Sequence, residues 1–240
     1  MENKVYNFRK GEILLVDKPL GWTSFDVVNK LRYPLKRKYN IKRLKVGHAG
    51  TLDPLATGLL VICTGKKTKE ITSFINDKKI YTGIIKLGAT TPSYDLETEI
   101  NQTYPTNHIT TALIETVKKQ FMGEIKQTPP IYSAKKVDGK RAYISARKGD
   151  EIKLKPNLIT VYELDLSLKE NNELHFYIKS SKGTYIRSLA YDLGKALNSG
   201  GHLIQLRREA SGSFDISEAK SVEYWRNLIE ETEVGDLDWG

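Results

Sequence analysis

The sequence predicts an α+β fold organised around a largely antiparallel sheet. Three observations indicate this class: short apolar or alternating segments typical of strands, amphipathic segments with helical spacing, and turn residues that separate them. The chain has 240 residues, 39% of them hydrophobic and 28% charged, which is enough to bury a core in one large domain or two small ones. No internal repeat, low-complexity tract or interdomain linker interrupts the sequence.

The chain begins with the pattern of a strand, a turn and a helix. Residues 11–16 form a short apolar run, and the turn at 17–21 ends it because proline and glycine punctuate the backbone. Thr23 or Ser24 then caps a helix. Pro34 is expected to disturb the end of that helix, since proline removes a hydrogen bond from a helix interior. Four apolar residues recur at helical spacing on its buried face: Val27, Val28, Leu31 and Leu35.

The rest of the chain alternates between strand-like and helix-like patterns. A loop rich in glycine and small residues spans 47–58, and the apolar run at 59–63 predicts a buried strand. Residues 127–132 hold two adjacent prolines and must be irregular. Four more segments read as strands, with a turn at 170–172: residues 81–87, 159–168, 174–180 and 203–207. Three segments read as helices: residues 109–121, 186–197 and 217–228.

Positive charge is concentrated in two separate runs. The chain carries 38 basic and 29 acidic residues, a net charge of +9. No acidic residue lies between Asp26 and Asp53, and a second basic stretch spans residues 135–148, whereas residues 230–238 are acidic. One charge run is usually a solvated face, but two in one basic chain favour a phosphate backbone as partner. The first run contains Lys30, Arg32, Lys36, Arg37, Lys38, Lys42, Arg43 and Lys45.

Several function classes find no support in the sequence. The single cysteine, Cys63, allows no internal disulfide and lies in an apolar run, so we expect an inert thiol and a cytoplasmic location. The N-terminus lacks an apolar signal segment, and no stretch approaches a membrane span. Phosphate-binding, dinucleotide-binding and hydrolase motifs are absent. The four histidines lack metal-ligand spacing, so no metal is expected: His48, His108, His175 and His202.

One carboxylate, Asp53, lies in the glycine-rich loop at residues 47–58. Three glycines and Pro54 give this loop a tightly turned backbone, and an apolar strand follows at once. Active sites are often built from a reactive group on a loop that a strand supports. An aspartate that only supports a turn is the commoner explanation of such spacing, so the pattern alone leaves both interpretations open.

The same loop carries a resemblance to a known family. The segment GHAGTLDPLATGLLVICTG is similar to the catalytic motif of the TruB-type tRNA pseudouridine-55 synthases. Five further segments resemble that family's motifs in the family's order, so that the likeness covers residues 11 to about 214. They are GEILLVDKPLGWTSFDVV, KKIYTGIIKLGATTPSYD, QTPPIYSAKKVDGKRAY, SSKGTYIRSLAYDLG and GGHLIQLRREASGSF.

The resemblance implies both a fold and a reaction. The fold is a pseudouridine-synthase-like mixed sheet flanked by helices and loops, and the reaction isomerises uridine 55 in the T-arm loop of tRNA to pseudouridine. The base flips out, the glycosidic bond breaks, the uracil turns and C5 bonds to C1′. Nothing is oxidised and no group is donated, so no cofactor is required. We expect a cytoplasmic monomer that binds the tRNA T-arm and needs no obligatory protein partner.

The resemblance also implies a division of the chain. Residues 1–214 form the catalytic domain, and about 127–155 form an insertion that grips RNA and orders on binding. Residues 215–240 form a short helix and an acidic tail. The 26 residues after Phe214 are too few for the full PUA domain that many family members carry.

Nine residues match family positions with roles at the site. Asp53 matches the catalytic aspartate, Arg187 the arginine that pairs with it, and Tyr81 the tyrosine that stacks on the uracil. Tyr185 matches an active-site tyrosine. We hypothesise that Tyr185 takes the C5 proton in the last step. Whether the carboxylate attacks C1′, attacks C6 or removes the 2′ proton is left open. The remaining five match positions that contact RNA or support the loop: His48, Asp95, Leu206, Lys18 and Pro19.

Three other functions compete with this interpretation. An RNA chaperone would refold tRNA without catalysis, but would not need Asp53 and Arg187 together. A related enzyme would modify another uridine, such as one in ribosomal RNA, although all six segments favour the T-arm type. A glycosidase-like hydrolase would require a second carboxylate, for which Asp95 is the candidate, and would release free uracil.

Overall fold

The computed structural model describes residues 6–133, 136–137, 140–141 and 154–232. The chain divides into two compact units. We call Met1–Lys79 with Arg207–Gly240 the terminal unit, and Ile80–Leu206 the central unit. Most of the strand pairs in both units are antiparallel, and helices accompany them, which confirms the predicted α+β class.

Strand β3, Ala56–Thr64, is the centre of the terminal unit's sheet. It pairs antiparallel with β1, Ile13–Lys18, and with β2, Val46–His48. Nearly every residue of β3 is buried, as the apolar run predicts for a strand covered on both faces. The register places Lys18 opposite Gly58, so the end of β1 lies beside the loop that carries Asp53.

Helix α1, Ser24–Lys38, packs its predicted apolar face into the core of the terminal unit. Thr23 is the N-cap, and it forms a capping box with Asp26. The prediction that Pro34 disturbs the end of this helix is wrong, because the helix continues past it to Lys38. Pro34 is buried beside Leu35, and the burial of this face outweighs the one hydrogen bond that proline removes.

The last helix of the described chain completes the same core. Ser221 caps it, so it begins at Val222, five residues later than the predicted 217–228, and its buried residues include Val222 and Trp225 as expected. The Trp225 indole N–H donates to the Leu15 carbonyl at 2.8 Å. Lys38 donates to the carbonyls of Ile229 and Glu230, which satisfies the end of the helix. The smaller elements of this unit are 3₁₀ turns at Gly65–Glu70 and Ile216–Glu218, helix α2 at Ile71–Asn76, and strands β13 at Phe214–Asp215 and β14 at Lys220–Ser221.

The central unit contains a sheet built from β4 at Lys79–Leu87, β7 at Gly123–Gln127, β10 at Asn157–Lys169, β11 at Glu173–Ser180 and β12 at Gly201–Ser211. The strand order is β12-β4-β11-β10-β7, and the first residues of β12 belong to this unit and its last to the terminal unit. The predicted hairpin is confirmed: β10 and β11 pair antiparallel, and the turn at Glu170–Asn172 places Asn171 at φ 57°, a conformation that asparagine tolerates.

The described part of the central unit contains two α-helices. Helix α3, Thr111–Lys118, begins after the cap Thr110 and continues as a 3₁₀ turn, Lys119–Phe121, so the pattern at 109–121 overestimates its α-helical part. Helix α4, Ile186–Ala196, agrees with the predicted 186–197, and the helix after Ser221 is α5, Val222–Glu231. Short strand pairs join β5, Ala89–Thr90, to β6, Gln102–Thr103, and β8, Lys136–Val137, to β9, Lys140–Arg141.

Parts of three sequence predictions lie outside the described residues. They are most of the insertion at 127–155, most of the basic stretch at 135–148, and the acidic tail beyond 232. Among the helices that the structure describes, none is long and apolar enough to cross a membrane.

Replacing Trp225 by alanine is expected to lower the free energy of unfolding by ~3–5 kcal/mol, because it leaves a cavity and an unsatisfied Leu15 carbonyl. The measurement is a urea titration followed by far-UV circular dichroism. Tyr33→Ala is the matched control, since it removes an aromatic ring that is 71% exposed on α1. Equal losses in the two variants would contradict this account of the core.

Candidate active site

Asp53 lies in the irregular segment between β2 and β3. The carbonyl of Asp53 accepts from the Ala56 N–H at 3.0 Å, which closes a tight turn at the start of β3. Pro54 and Leu55 are exposed at the tip of this turn, and Asp53 itself is half-buried. We call residues 49–55 the Asp53 loop. Because its backbone forms few regular ladder bonds, side chains from elsewhere must hold it in place.

Ser24 holds the Asp53 loop from the first turn of α1. Its hydroxyl accepts from the Leu52 N–H at 2.8 Å and donates to the Leu52 carbonyl at 3.1 Å. One buried hydroxyl therefore satisfies both backbone groups of the residue that precedes Asp53. The sequence offered Ser24 only as an alternative helix cap, a position that Thr23 occupies, and no motif revealed this bond.

Lys18 holds the other side of the loop. Its ammonium is fully buried and donates to the carbonyls of Pro19 at 2.9 Å, Trp22 at 2.6 Å and Pro54 at 3.4 Å. The Gly21 N–H donates to the same Pro54 carbonyl at 2.8 Å. The turn that contains Pro19 is thus joined to the residue that follows Asp53.

Burial has a marked electrostatic effect on Lys18. It lowers the pKa of the Lys18 ammonium to about 8, while the nearby Asp53 carboxylate partly opposes this shift and the Arg208 guanidinium adds to it. At neutral pH Lys18 is therefore largely protonated and keeps its three donors. It also contributes a positive charge near Asp53 within the terminal unit.

Arg208 is a third support that the sequence predictions missed. Its Nε donates to the Leu59 carbonyl at 2.7 Å and its Nη2 to the Gly50 carbonyl at 3.2 Å, and the side chain is 1% exposed. A signal was present, because Arg208 falls in the same alternating phase of β12 as the buried Leu206 and Ala210. A charged residue in a buried phase indicates a specific partner.

His48 is the last residue of β2, immediately before the Asp53 loop. Burial, and next the Arg208 guanidinium, lower the pKa of His48. Its imidazole is therefore neutral near pH 7.

Arg187 lies in the first turn of α4 and is 4% exposed. Its Nη1 donates to the Ser93 carbonyl at 3.2 Å and its Nη2 to the Tyr132 carbonyl at 2.9 Å. Its Nε lies 3.5 Å from Oδ2 of Asp95, which is also buried. The structure therefore brings together two predicted site residues of the central unit, Arg187 and Asp95.

Tyr185 precedes α4 as its N-cap residue. The Gln127 side chain donates to the Tyr185 carbonyl at 3.0 Å and accepts from the Tyr185 N–H at 2.8 Å, so one amide fixes the backbone of this residue. Gln127 is 2% exposed. The sequence placed Gln127 in an irregular segment and at the start of the proposed RNA-gripping insertion, and its amide pairing was missed.

Tyr81 and Leu206 are both buried in the central unit. Tyr81 lies on β4 and is 9% exposed, and Leu206 lies on β12 and is 7% exposed. Their strands are neighbours in the sheet. Pro19, by contrast, is exposed at the turn after β1.

The described residues provide no group of three His, Cys, Asp or Glu side chains that could hold a metal ion. Cys63 is fully buried, and burial raises the pKa of its thiol to about 11, so it is unreactive near neutral pH, as the sequence predicted.

The basic run at residues 30–45 is partly committed to structural contacts. Arg32 donates to the Val46 carbonyl, Lys38 caps α5, and Lys30 and Arg37 lie near Glu223 and Glu230. The other four cations have no ion pair or side-chain hydrogen bond within the described parts of the chain: Lys36, Lys42, Arg43 and Lys45.

Comparison with known proteins identifies the class. The family model of the TruB pseudouridylate synthase N-terminal domain matches residues 36–186, and that of the tRNA pseudouridylate synthase B C-terminal domain matches 187–234. The tRNA pseudouridine synthase B of Phocaeicola vulgatus is 51% identical over 96% of this chain and 98% of its own length. That of Flavobacterium johnsoniae is 52% identical over 93% and 98%.

Solved structures agree with this class. A Cbf5-Nop10-Gar1 complex contains a chain that superposes with a TM-score of 0.69 at 27% identity. An H/ACA RNP bound to a substrate RNA containing 2′-deoxyuridine gives a TM-score of 0.66 at 26% identity. The present chain is matched over 95% and 97% of its length, and spans 58% of each of those chains. The fold is that of a pseudouridine synthase, and the chain belongs to the TruB family of pseudouridylate synthases.

The low pKa of Lys18 can be measured by NMR on protein carrying ¹³C-labelled lysine. We expect the Lys18 Cε resonance to titrate near pH 8, and the Asp53→Asn variant to titrate lower, because the carboxylate raises this pKa. Since the unfolded chain holds this proton up to about pH 10.4, Lys18 makes stability rise with pH between about 8 and that value.

Glu70→Gln serves as the control for the titration, because Glu70 is not among the groups that shift Lys18. An unchanged or higher pKa of Lys18 in Asp53→Asn would contradict the electrostatic coupling.

Proposed function

We propose that this TruB-family enzyme isomerises uridine 55 in the T-arm loop of tRNA to pseudouridine. The observation that carries the proposal is Asp53, a carboxylate on a loop held from both sides by buried side chains, in a chain of this family. Relatives named tRNA pseudouridine synthase B match nearly the whole chain and support tRNA as the substrate. The reaction is redox-neutral and calls for no cofactor.

Asp53 is proposed as the catalytic carboxylate. Departure of uracil leaves C1′ electron-poor, and a carboxylate can stabilise that centre, as in glycoside chemistry. The freed base must then turn so that C5 faces C1′. Water has to be excluded while this happens, because a hydrolase would release the uracil instead.

Four residues are proposed to hold the flipped nucleotide. Extrusion of a stacked base costs a few kcal/mol, and an aromatic face recovers roughly 1–3 kcal/mol per base. Tyr81 is proposed to supply that face, with Leu206 as an apolar contact to the base. His48, neutral at physiological pH, is proposed to pack against the RNA, and Asp95 to lie near the bound nucleotide.

Arg187 and Tyr185 are proposed to act on the reacting groups. An arginine can bond to both oxygens of a carboxylate, which suits Arg187 as the cation for Asp53. Tyr185 is proposed to take the C5 proton in the last step, and full turnover by Tyr185→Phe would contradict this. Asp95 is unsuited to serve as the second catalytic carboxylate of a hydrolase, because its Oδ1 accepts from the Glu97 N–H at 2.9 Å and its Oδ2 faces Arg187.

The wider contacts are proposed as follows. The uncommitted cations of residues 30–45 and the stretch 135–148 grip phosphates of the T-arm, while Lys18 and Pro19 support the Asp53 loop. Residues 1–214 form the catalytic domain, residues about 127–155 grip RNA, and residues 215–240 make a helix and tail. The enzyme acts in the cytoplasm as a monomer without an obligatory protein partner, which sedimentation at micromolar concentration tests.

Asp53→Asn is expected to abolish tritium release from tRNA labelled with [5-³H]uridine, because the amide cannot act as the charged carboxylate. Wild-type protein should release one label per tRNA, with the product mapped to position 55. The control is Asp165→Asn, which changes an exposed carboxylate on β10. Equal release by wild type and Asp53→Asn would contradict the assignment, and free uracil would indicate a hydrolase.

Tyr81→Leu is expected to lower the single-turnover rate about 5- to 150-fold, the equivalent of ~1–3 kcal/mol of stacking. Tyr81→Phe keeps the ring, so its single-turnover rate should stay well above that of Tyr81→Leu. Both variants should bind tRNA through phosphate contacts with little change. If Tyr81→Leu reacted as fast as Tyr81→Phe, base stacking would not be the role of this residue.

A further inference from the structure

Tyr94 adopts a left-handed backbone conformation with φ 64°. This region is unfavourable for a bulky residue and persists only where the surroundings impose it. The surroundings do so here, because the Tyr94 carbonyl accepts from the Leu203 N–H at 2.9 Å and the Tyr94 N–H donates to Thr91 at 3.1 Å. The strained residue lies next to Asp95, which faces Arg187.

The left-handed turn has a clear geometric consequence for Arg187. Ser93, before Tyr94, accepts from Nη1 of Arg187 through its carbonyl, and Asp95, after Tyr94, presents its carboxylate to Nε. In an extended strand, backbone carbonyls point sideways along the hydrogen-bonding direction, whereas side chains project from the two faces. The left-handed turn at Tyr94 therefore lets the Ser93 carbonyl and the Asp95 side chain face one guanidinium.

The ring of Tyr94 makes a second connection to the same helix. It stacks on Tyr191 with ring centroids 4.2 Å apart and an interplanar angle of 19°. Tyr191 follows Arg187 by one helical turn on α4, so the two side chains lie on the same face. The segment 93–95 thus contacts α4 at two successive turns, through the guanidinium and through the stacked rings.

We propose that the stacked pair of Tyr94 and Tyr191 is a positioning device for Arg187. The stack holds the left-handed turn against α4. This turn then holds the Ser93 carbonyl and the Asp95 carboxylate around the Arg187 guanidinium. The effect on catalysis rests on the proposed function of Arg187. Both tyrosines act through Arg187 and need not touch the substrate.

The positioning role predicts that removing the ring of Tyr191 disturbs Arg187, whereas removing only the hydroxyl of Tyr191 does not. Stacking depends on the aromatic face, so Tyr191→Phe keeps it and Tyr191→Ala abolishes it. Without the stack the turn at Tyr94 is free to relax, and the Ser93 carbonyl and the Asp95 carboxylate move away from the Arg187 guanidinium. A residue that only fills the core would lower stability without changing the environment of one guanidinium.

The test uses ¹⁵N-arginine NMR of the full-length protein, with the Arg187 signal assigned through Arg187→Lys. We expect hydrogen exchange at Nε of Arg187 to be at least tenfold faster in Tyr191→Ala than in wild type, and unchanged within twofold in Tyr191→Phe. Leu164→Ala is the control, because it destabilises the buried face of β10 without altering the segment 93–95. In Leu164→Ala, hydrogen exchange at Nε of Arg187 should match the wild type under native conditions.

Activity provides the second readout. Single-turnover tritium release at saturating enzyme is expected to fall at least tenfold in Tyr191→Ala, with tRNA affinity within twofold and rescue in Tyr191→Phe. Unchanged Nε exchange in Tyr191→Ala, or equal acceleration in Leu164→Ala, would overturn the positioning device. A wild-type protein without isomerase activity would overturn the proposed function instead. The exchange rates at Nε of Arg187 would still show whether the stacked tyrosines position this guanidinium.

Discussion

The Asp53 loop depends on hydrogen bonds that come from outside it. An irregular backbone has no ladder of its own, and each unsatisfied buried group costs ~1–3 kcal/mol. Ser24 supplies both partners of Leu52, Lys18 donates to Pro54, and Arg208 donates to Gly50 and Leu59. The core of the terminal unit fixes these three side chains, so the position of the loop is set by the packing of α1, β1 and β12.

This arrangement explains why charged residues are buried in the terminal unit. Isolated burial of an ammonium is unfavourable, and the lowered pKa of Lys18 reports that penalty. Three carbonyl acceptors offset it. The central unit uses the same principle, since the Arg187 guanidinium is surrounded by two carbonyls and the Asp95 carboxylate. In each unit, oxygen atoms from other residues therefore stabilise a buried cation.

The sequence predicted elements well where periodicity was strong. The buried strand β3, the β10–β11 hairpin and helix α4 follow directly from apolar runs, alternation and helical spacing. Pro34 misled because tertiary burial outweighed a local rule. The supports by Ser24, Gln127 and Arg208 have no local pattern, since each joins segments far apart in the chain. Only family resemblance pointed to Asp53, whose local spacing is that of an ordinary turn.

The hydrogen bonds from Ser24, Lys18 and Arg208 predict that the Asp53 loop is ordered before RNA arrives. Amide hydrogen exchange at Leu52 in the free protein tests it most directly, because the Ser24 hydroxyl protects that N–H. We expect exchange orders of magnitude slower than in an unfolded chain, and little further slowing when a T-arm stem-loop is added. Exchange at the unprotected rate in the free protein, with protection only after RNA binding, would contradict the claim.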